Sequence, residues 1–502
     1  MKEEKKLFSN AFYVFLDIFF INLFSFFYIL VIWKFLPPHD YGVIATVSNL
    51  SLLVSNICFL GLNVATPKLV SEYAQKKQVK KIGSLFRFSL FLPLILSFFS
   101  SLFIFSFYLL FPTAFKLSFD CMLIACILIF AIVICWASGS LLYGLQNMKK
   151  IFISDLIGYF SKFFLAFLLI SLGFGYLGAL LSFILCYLIT FLVRFEKSWL
   201  LLSNEIDKKF VIKNYAVPAF SMMIFSLFIN NSQYFILTFI QNPGATGIFG
   251  TALTLSFIIT FIPNILSASL FPIISQLCVV RKKQRKQYYL TAMVTRYILL
   301  LSIPSILFFS IFSRELVLLL SEREYLSSSQ FLPLLTLASF FFGFGNFFLT
   351  CLYGIRKTKF ARNISLFFTF IFLILALSLT YFFSAWGLST AYFITTSLYL
   401  PTTFIFVKKF LKVKGIAKPF IKILFASTIF GILLFSSEIF ALKLYLKILI
   451  LLIAGLFYFI LLIPLRFYQH EEVRILNYLG KRAPVFKNIF FSLANFLSKY
   501  VS

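Results

Sequence analysis

Runs of apolar residues, each about 20 long, follow one another along the chain with short polar breaks. That is the length a helix needs to cross ~30 Å of hydrocarbon. The pattern predicts spans at 11–35, 43–65, 88–111, 120–143, 155–173 and 177–195. A polar stretch from Glu196 to Lys213 intervenes. Spans resume at 215–240, 248–272, 291–313, 329–352, 363–384 and 386–406, with two more at 421–440 and 445–465. The expected fold is all-α, a polytopic membrane protein of about fourteen helices. Its parts are an N-terminal six-helix lobe (1–195), a linker (196–214), a C-terminal six-helix lobe (215–410), helices 13 and 14 (411–465) and a charged tail (466–502). Met1 to Asn10 leads into a run too long for a signal-peptide core, so it opens the first span. In the tail, Phe486, Ile489, Phe490, Leu493, Phe496 and Leu497 recur at helical spacing between Val485 and Tyr500. That segment reads as an amphipathic helix, either lying on the inner leaflet or packed on the basic loops.

The stretch Pro38–Lys81 recurs as Pro243–Lys286, displaced by 205 positions. Pro38 meets Pro243, Gly42 meets Gly247, Thr46 meets Thr251 and Pro67 meets Pro272. The basic pairs Lys76-Lys77 and Lys80-Lys81 meet Arg281-Lys282 and Arg285-Lys286. A second echo pairs Leu142-Tyr143-Gly144 with Leu352-Tyr353-Gly354, at a shift of 210. Each half holds an even number of spans and so enters and leaves on one side. Two such halves are parallel repeats about an axis along the membrane normal, an arrangement found in transporters with the substrate site between the halves.

Composition agrees: 61% of the 502 residues are hydrophobic, 12% are charged, and the net charge is +29. Of the 45 Lys and Arg, Lys34, Lys116, Arg314, Arg323, Lys443 and Lys447 fall in the odd-numbered loops, and Lys162 and Arg296 fall in or at the edge of spans. All the others lie in the even-numbered loops and the two termini, which predicts cytoplasmic termini. This bias accounts for the charge through anionic lipid headgroups, without nucleic acid. The seven cysteines form no C-x-x-C pair and read as buried thiols. The two histidines, His39 and His470, sit in loops, and no nucleophile elbow, Walker loop or zinc-protease motif occurs. Neither enzyme nor cofactor chemistry is implied.

Three stretches carry a family likeness. They are Tyr41-Gly42 with Gly61-Leu62 and Ala65-Thr66-Pro67-Lys68; Gly247 through Phe271-Pro272-Ile273-Ile274-Ser275; and Leu352-Tyr353-Gly354 with Lys359, then Trp386-Gly387-Leu388. In order and spacing the chain resembles the Wzx-like flippases of the multidrug/oligosaccharidyl-lipid/polysaccharide superfamily. The resemblance implies export of a polyprenyl-(pyro)phosphate-linked oligosaccharide from the inner to the outer face of the cell membrane. It implies two halves rocking about a cavity, a possible H+ or Na+ coupling ion, and glycosyltransferase or polymerase neighbours. The family often carries an acid midway along helix 7, where this chain has Asn230, Asn231 and Gln233. A cation-coupled drug or metabolite exporter of the same superfamily is the alternative, with Asp17 as its support. A membrane polymerase is a third reading, disfavoured by short outer loops.

Such a substrate needs a polar cavity for sugar, cations for phosphate and a seam for the lipid. Charges inside spans cost about 2.5–3.5 kcal/mol and are functional suspects. Asp17 in helix 1, Lys162 in helix 5 and Arg296 in helix 9 qualify. Lys162 is expected some seven residues into its helix, about 10 Å along the axis. It would face phosphate, pair with Asp17 at similar depth, or snorkel; Arg296 would snorkel or bind substrate. Asn49, Asn56 and Asn63 repeat along helix 2; Ser226, Asn230 and Gln233 along helix 7; Thr260, Asn264 and Ser267 along helix 8. Their amides and hydroxyls suit sugar hydroxyls or, equally, interhelical hydrogen bonds.

Overall fold

Helix boundaries follow local punctuation. The computed structural model describes residues 2–195, 206–279, 284–411, 415, 417–440, 444–470, 472–474, 477 and 487–498. Every regular element among them is helical. In order these are α1 (Lys2–Phe35), α2 (Pro38–Phe59), α3 (Leu62–Gln75), α4 (Val79–Leu110), α5 (Phe119–Gly144), α6 (Met148–Ser171), α7 (Gly175–Arg194) and α8 (Val217–Ile240). There follow α9 (Pro243–Phe257), α10 (Phe261–Val279), α11 (Gln284–Ile311), α12 (Leu332–Gly354), α13 (Thr358–Leu411), α14 (Ala417–Ile439), α15 (Leu444–Leu461) and α16 (Lys487–Ser498). Short helical turns fill several connections. Twelve helices among the described residues are long and apolar enough to cross a membrane. Residues 196–205 of the expected linker, the pair Arg281-Lys282, and Val485, Phe486, Lys499 and Tyr500 of the tail motif lie outside the described residues.

Three boundaries differ from the hydropathy reading. Pro37 is extended and Pro38 opens α2, where its missing N–H is no loss. Leu60 and Gly61 then turn left-handed, with φ of 48° and 82°, so the single predicted span 43–65 is two helices. At Gly61 a side chain would also overlap the Ala216 carbonyl, so glycine is required twice over. The third difference is α6. Asn147 caps it, its side chain accepting from the Lys150 amide at 3.3 Å, so the helix starts seven residues before the expected 155.

The echoes in sequence fold alike. After α5, the Gln146 amide donates to Tyr143 at 3.1 Å and the Asn147 amide to Leu142 at 3.1 Å. After α12, the Arg356 amide donates to Tyr353 at 3.0 Å and the Lys357 amide to Leu352 at 2.9 Å. Gln146 and Arg356, displaced by the same 210 positions, carry positive φ of 57° and 61°. The glycines before them are equally confined. A side chain at Gly144 would meet the Pro67 carbonyl at 2.9 Å, and one at Gly354 would meet Ile274 at 2.8 Å.

The chain forms two compact units. The first is Met1–Thr254, Glu315–Phe331 and Thr358–Thr395; the second is Leu255–Arg314, Leu332–Lys357 and Thr396–Ser502. The first therefore contains the whole expected N-terminal lobe together with α8, most of α9 and α13 as far as Thr395. In it α2 and α5 are the inner helices, 72% and 67% buried over their apolar windows, against 22% for α4. The outer helices turn phenylalanines such as Phe98, Phe99 and Phe103 outward, as lipid-facing surfaces do. In the second unit α12 is the inner helix, 72% buried.

Turns expected on one side of the membrane meet in the first unit. Tyr325 donates to the Leu36 carbonyl at 2.9 Å, and the Glu322 amide to Trp33 at 3.2 Å. Lys116 reaches the Ile240 carbonyl at 3.0 Å. Gln241 is hydrogen-bonded to Ser384. Ser384 is the break in α13, with φ 58° and ψ −136° in an otherwise helical run of 54 residues.

Candidate functional site

A parallel aromatic ladder sets the register of α1 against α6. Phe24 lies on Phe160 with ring centroids 5.5 Å apart, Phe27 on Phe163 at 5.6 Å and Phe35 on Phe167 at 5.9 Å. Tyr13 and Phe20 both touch Phe152, at 6.1 and 6.0 Å. Asp17 lies between them in sequence, so it comes level with Asp155 one turn further along α6. Tyr143 at the end of α5 and Arg194 at the end of α7 complete its surroundings.

Arg194 is the hub. Its Nη2 donates to both oxygens of Asp155 at 2.6 Å, Nε to Ser154 Oγ at 2.9 Å and Nη1 to the Cys135 carbonyl at 3.2 Å. Arg194 and Asp155 are 4% and 7% exposed. A buried pair of this kind persists only when its remaining hydrogen-bonding positions are met, and here they are. Glycines make the room. A side chain at Gly139 would come 2.7 Å from Nη1, and one at Gly158 would overlap the Thr190 hydroxyl. Asp17, 4% exposed, adds a second carboxylate whose Oδ1 has no hydrogen-bond partner.

These groups face a cavity of about 470 Å³ whose walls include Asp17, Asp155, Arg194, Asn56, Asn63 and Thr190. Trp136, Tyr159 and Tyr187 give it aromatic surface. Asn56 and Asn63 also wall a second cavity of about 200 Å³, which Ser226, Asn230 and Asn231 line from α8. Asn63 Oδ1 and Thr190 Oγ1 are buried without partners. Among the described residues, Arg194 is the one cation in either wall.

The expected site residues divide. Asp17, Asn56 and Asn230 line these cavities. Asn49 does not, and its amide donates back to the Ala45 carbonyl at 2.8 Å. Gln233 is fully buried and donates to the Ile229 carbonyl at 2.6 Å. Asn264 is exposed on α10.

The cations lie elsewhere than the sequence suggested. Lys162 is not beside Asp17, and no ion pair joins them among the described residues. The ladder brings Lys162 level with Phe26 and Phe27, nine or ten residues from Asp17, roughly 14 Å along the axis. Since α6 starts at Met148, Lys162 is also deeper than expected, about 21 Å along the helix. Its ammonium lies 3.5 Å from the Phe183 ring centre and 4.1 Å from that of Tyr28, and outside both cavity walls. Arg296 is held by the segment after α15. It donates to Glu472 and to the Phe467 carbonyl, each at 3.0 Å, and to Gln469. Asp155 and Arg194 escaped the sequence reading because they fall at the edges of the predicted spans 155–173 and 177–195, where charge looks like loop. The capping asparagine before Lys149 was the available signal.

The first unit is thus a bundle of apolar, span-length helices with a charged cavity between α1, α5, α6 and α7. The chain is a member of the polysaccharide biosynthesis protein family, whose profile matches residues 7–278. Its fold is similar to that of the lipid II flippase MurJ in an inward closed conformation, with TM-score 0.69 and 17% identity, over 90% of this chain and 98% of that one. It is similar to an inward-facing multidrug resistance MATE family transporter of the MOP superfamily, with TM-score 0.59 and 15% identity, over 79% and 96%. The MATE multidrug transporter DinF-BH gives TM-score 0.57 and 17% identity, over 82% and 96%. No curated protein sequence matches the chain.

Proposed function

We propose that this protein flips a lipid-linked oligosaccharide, a glycan on a polyprenyl (pyro)phosphate, from the inner to the outer face of the cell membrane. The observation that carries the reading is the polar, aromatic-walled cavity among the spans of the first unit, in a member of a polysaccharide biosynthesis family. It supplies the hydrogen-bonding surface a glycan needs in the bilayer. Fourteen crossings are inferred by dividing α13 at Ser384 and counting α15, whose apolar stretch Tyr445–Leu461 is just under the usual length. Both termini are then cytoplasmic. Two parallel six-helix repeats, each moving as a rocking half in alternating access, are supported by the like turns at Gln146 and Arg356. The partners on this reading are membrane lipid and the glycosyltransferases and polymerase that make and use the glycan. The role is transport rather than catalysis.

A second reading, a cation-coupled exporter of drugs or metabolites, draws on Asp17 standing beside Asp155, the partner of the one guanidinium. A carboxylate in excess of its counter-charge can take up a proton or a metal cation. The test reconstitutes the purified chain in liposomes with a fluorescent lipid-linked oligosaccharide on one leaflet. Translocation lost in the Asn56→Leu/Asn63→Leu variant is expected. Efflux of organic cations without lipid-linked glycan movement would overturn the first reading in favour of the second.

A further inference from the structure

The charged groups of the 470 Å³ cavity are lopsided. Arg194 spends Nε on Ser154, Nη1 on Cys135 and Nη2 on Asp155, so its donors face inward on the protein and not into the space. The Asn56 amide gives one of its two N–H donors to the Leu52 carbonyl at 2.9 Å. What remains is a carboxyl and a set of neutral amide, hydroxyl and indole groups on Asn63, Thr190, Tyr159, Tyr187 and Trp136. Asp17 Oδ1, Asn63 Oδ1 and Thr190 Oγ1 are buried and without partners, and Asp17 and Thr190 are 4% and 1% exposed as residues. Amide and hydroxyl groups of this kind meet sugar hydroxyls as both donors and acceptors.

Charge points the same way. Two acidic side chains share one guanidinium that is already engaged by Ser154, Cys135 and Asp155, so an acidic sugar brought here meets carboxyl groups and finds no free cation. Lys162 cannot offset this, because its ammonium is turned onto Phe183 and Tyr28 outside the wall. The aromatic faces of Trp136, Tyr159 and Tyr187 suit the apolar face of a sugar ring or an ammonium group. The volume is that of a small-ligand pocket, which lies at ~300–1,000 Å³.

We infer that this cavity holds the glycan headgroup and selects neutral or ammonium-bearing sugars over acidic ones, with the phosphates bound elsewhere. The inference rests on the flippase reading but concerns one site, which can be probed separately. Trp136 in the wall supplies the signal.

The full chain in lipid nanodiscs is titrated with three matched trisaccharides: glucosamine trimer, N-acetylglucosamine trimer and galacturonate trimer. Saturable quenching by the first two is expected, absent in Trp136→Phe, with galacturonate at least tenfold weaker. Asp17→Asn should shrink the gap between glucosamine and galacturonate about tenfold; if that variant does not assemble, Asn63→Leu should weaken the neutral trimer instead. Galacturonate binding as tight as glucosamine, or no Trp136-dependent response to any trimer, overturns the inference. Lipid-linked glycan flipped by the same preparation regardless of sugar charge would sink the inference and leave the flippase standing. Quenching by a cationic rhodamine dye with none by the trisaccharides would remove both.

Discussion

Gly42 and Gly247 lie in a reciprocal contact. A side chain on Gly42 would overlap the Pro243 carbonyl and come within 2.9 Å of the Gly247 amide nitrogen, while one on Gly247 would overlap the Pro38 carbonyl. Each glycine thus packs against the residue that opens the other's helix, and the four residues are the matched positions of the repeated stretch. A contact that maps onto itself when the copies are exchanged is what a two-fold relation between repeats produces.

Alanine at either glycine gains up to about 1 kcal/mol of helix propensity. It must then force two backbones apart, an overpacking cost of typically 1–3 kcal/mol or more. Overpacking wins, so Gly42→Ala and Gly247→Ala should each lower Tm in detergent–lipid micelles by several degrees. The double variant should cost less than the sum, since one separation of α2 and α9 relieves both clashes. Additive losses, or a neutral single variant, would contradict the shared contact.

Arg194 holds Asp155 with two 2.6 Å contacts while Asp17 stands alongside. Arg194→Met strands both carboxylates in the interior, a loss of about 3–5 kcal/mol. Asp155→Leu/Arg194→Met removes both members of the pair and should recover most of it. Arg194→Lys should fall between, because one ammonium cannot reach Ser154, Cys135 and Asp155 together. The check is thermal stability by fluorescence-detected size exclusion; a double variant less stable than Arg194→Met alone would refute the pairing account.

Lys162 offers a contrast. Its ammonium is buried on the rings of Phe183 and Tyr28 without a carboxylate. Desolvated cation–π contacts return about 2 kcal/mol, less than the several kcal/mol that burying an ion costs. Lys162→Met should therefore raise Tm by a few degrees and leave glycan translocation within about twofold. Translocation abolished at normal abundance would show that the lysine leaves its aromatic cage to meet phosphate.

Much of the architecture was legible because a bilayer imposes it. Apolar runs marked the spans, and Asn56 and Asn230 on their polar stripes do reach cavities. Depth was not legible. Hydropathy put the start of helix 5 at 155, when Asn147 caps it, and so Lys162 looked shallow and close to Asp17. The α1–α6 register that separates them is set by phenylalanines such as Phe24 and Phe160, which composition alone reads as lipid-facing bulk. The partners of Arg296 lie in a segment about 170 residues further on, and no periodicity links positions so far apart.

Arg296 ties α11 to the stretch after α15 through Phe467, Gln469 and Glu472, and Tyr297 adds a 3.2 Å hydrogen bond to Glu472. Arg296→Gln should release that stretch locally rather than unfold the second unit. Amide exchange over 463–474 should quicken about tenfold or more, and Glu472→Gln should do the same with no further effect in combination. Unchanged exchange in both variants would show that other contacts hold the segment.

The break at Ser384 decides the topology. A continuous 54-residue helix would run about 80 Å, far beyond ~30 Å of hydrocarbon. Ser384 instead leaves helical geometry, and its hydroxyl meets Gln241, whose carbonyl region is held in turn by Lys116. The turns around 116, 241, 325 and 384 therefore share a face, and on the proposed topology, with few lysines and arginines there, it is the outer one. Reporters inserted after Gln241, Ser328 and Ser384 should all report outside, and one after Lys149 inside. A reporter at Ser384 reading inside while Gln241 reads outside would break the hydrogen-bonded pairing of the two turns, and with it the count of fourteen.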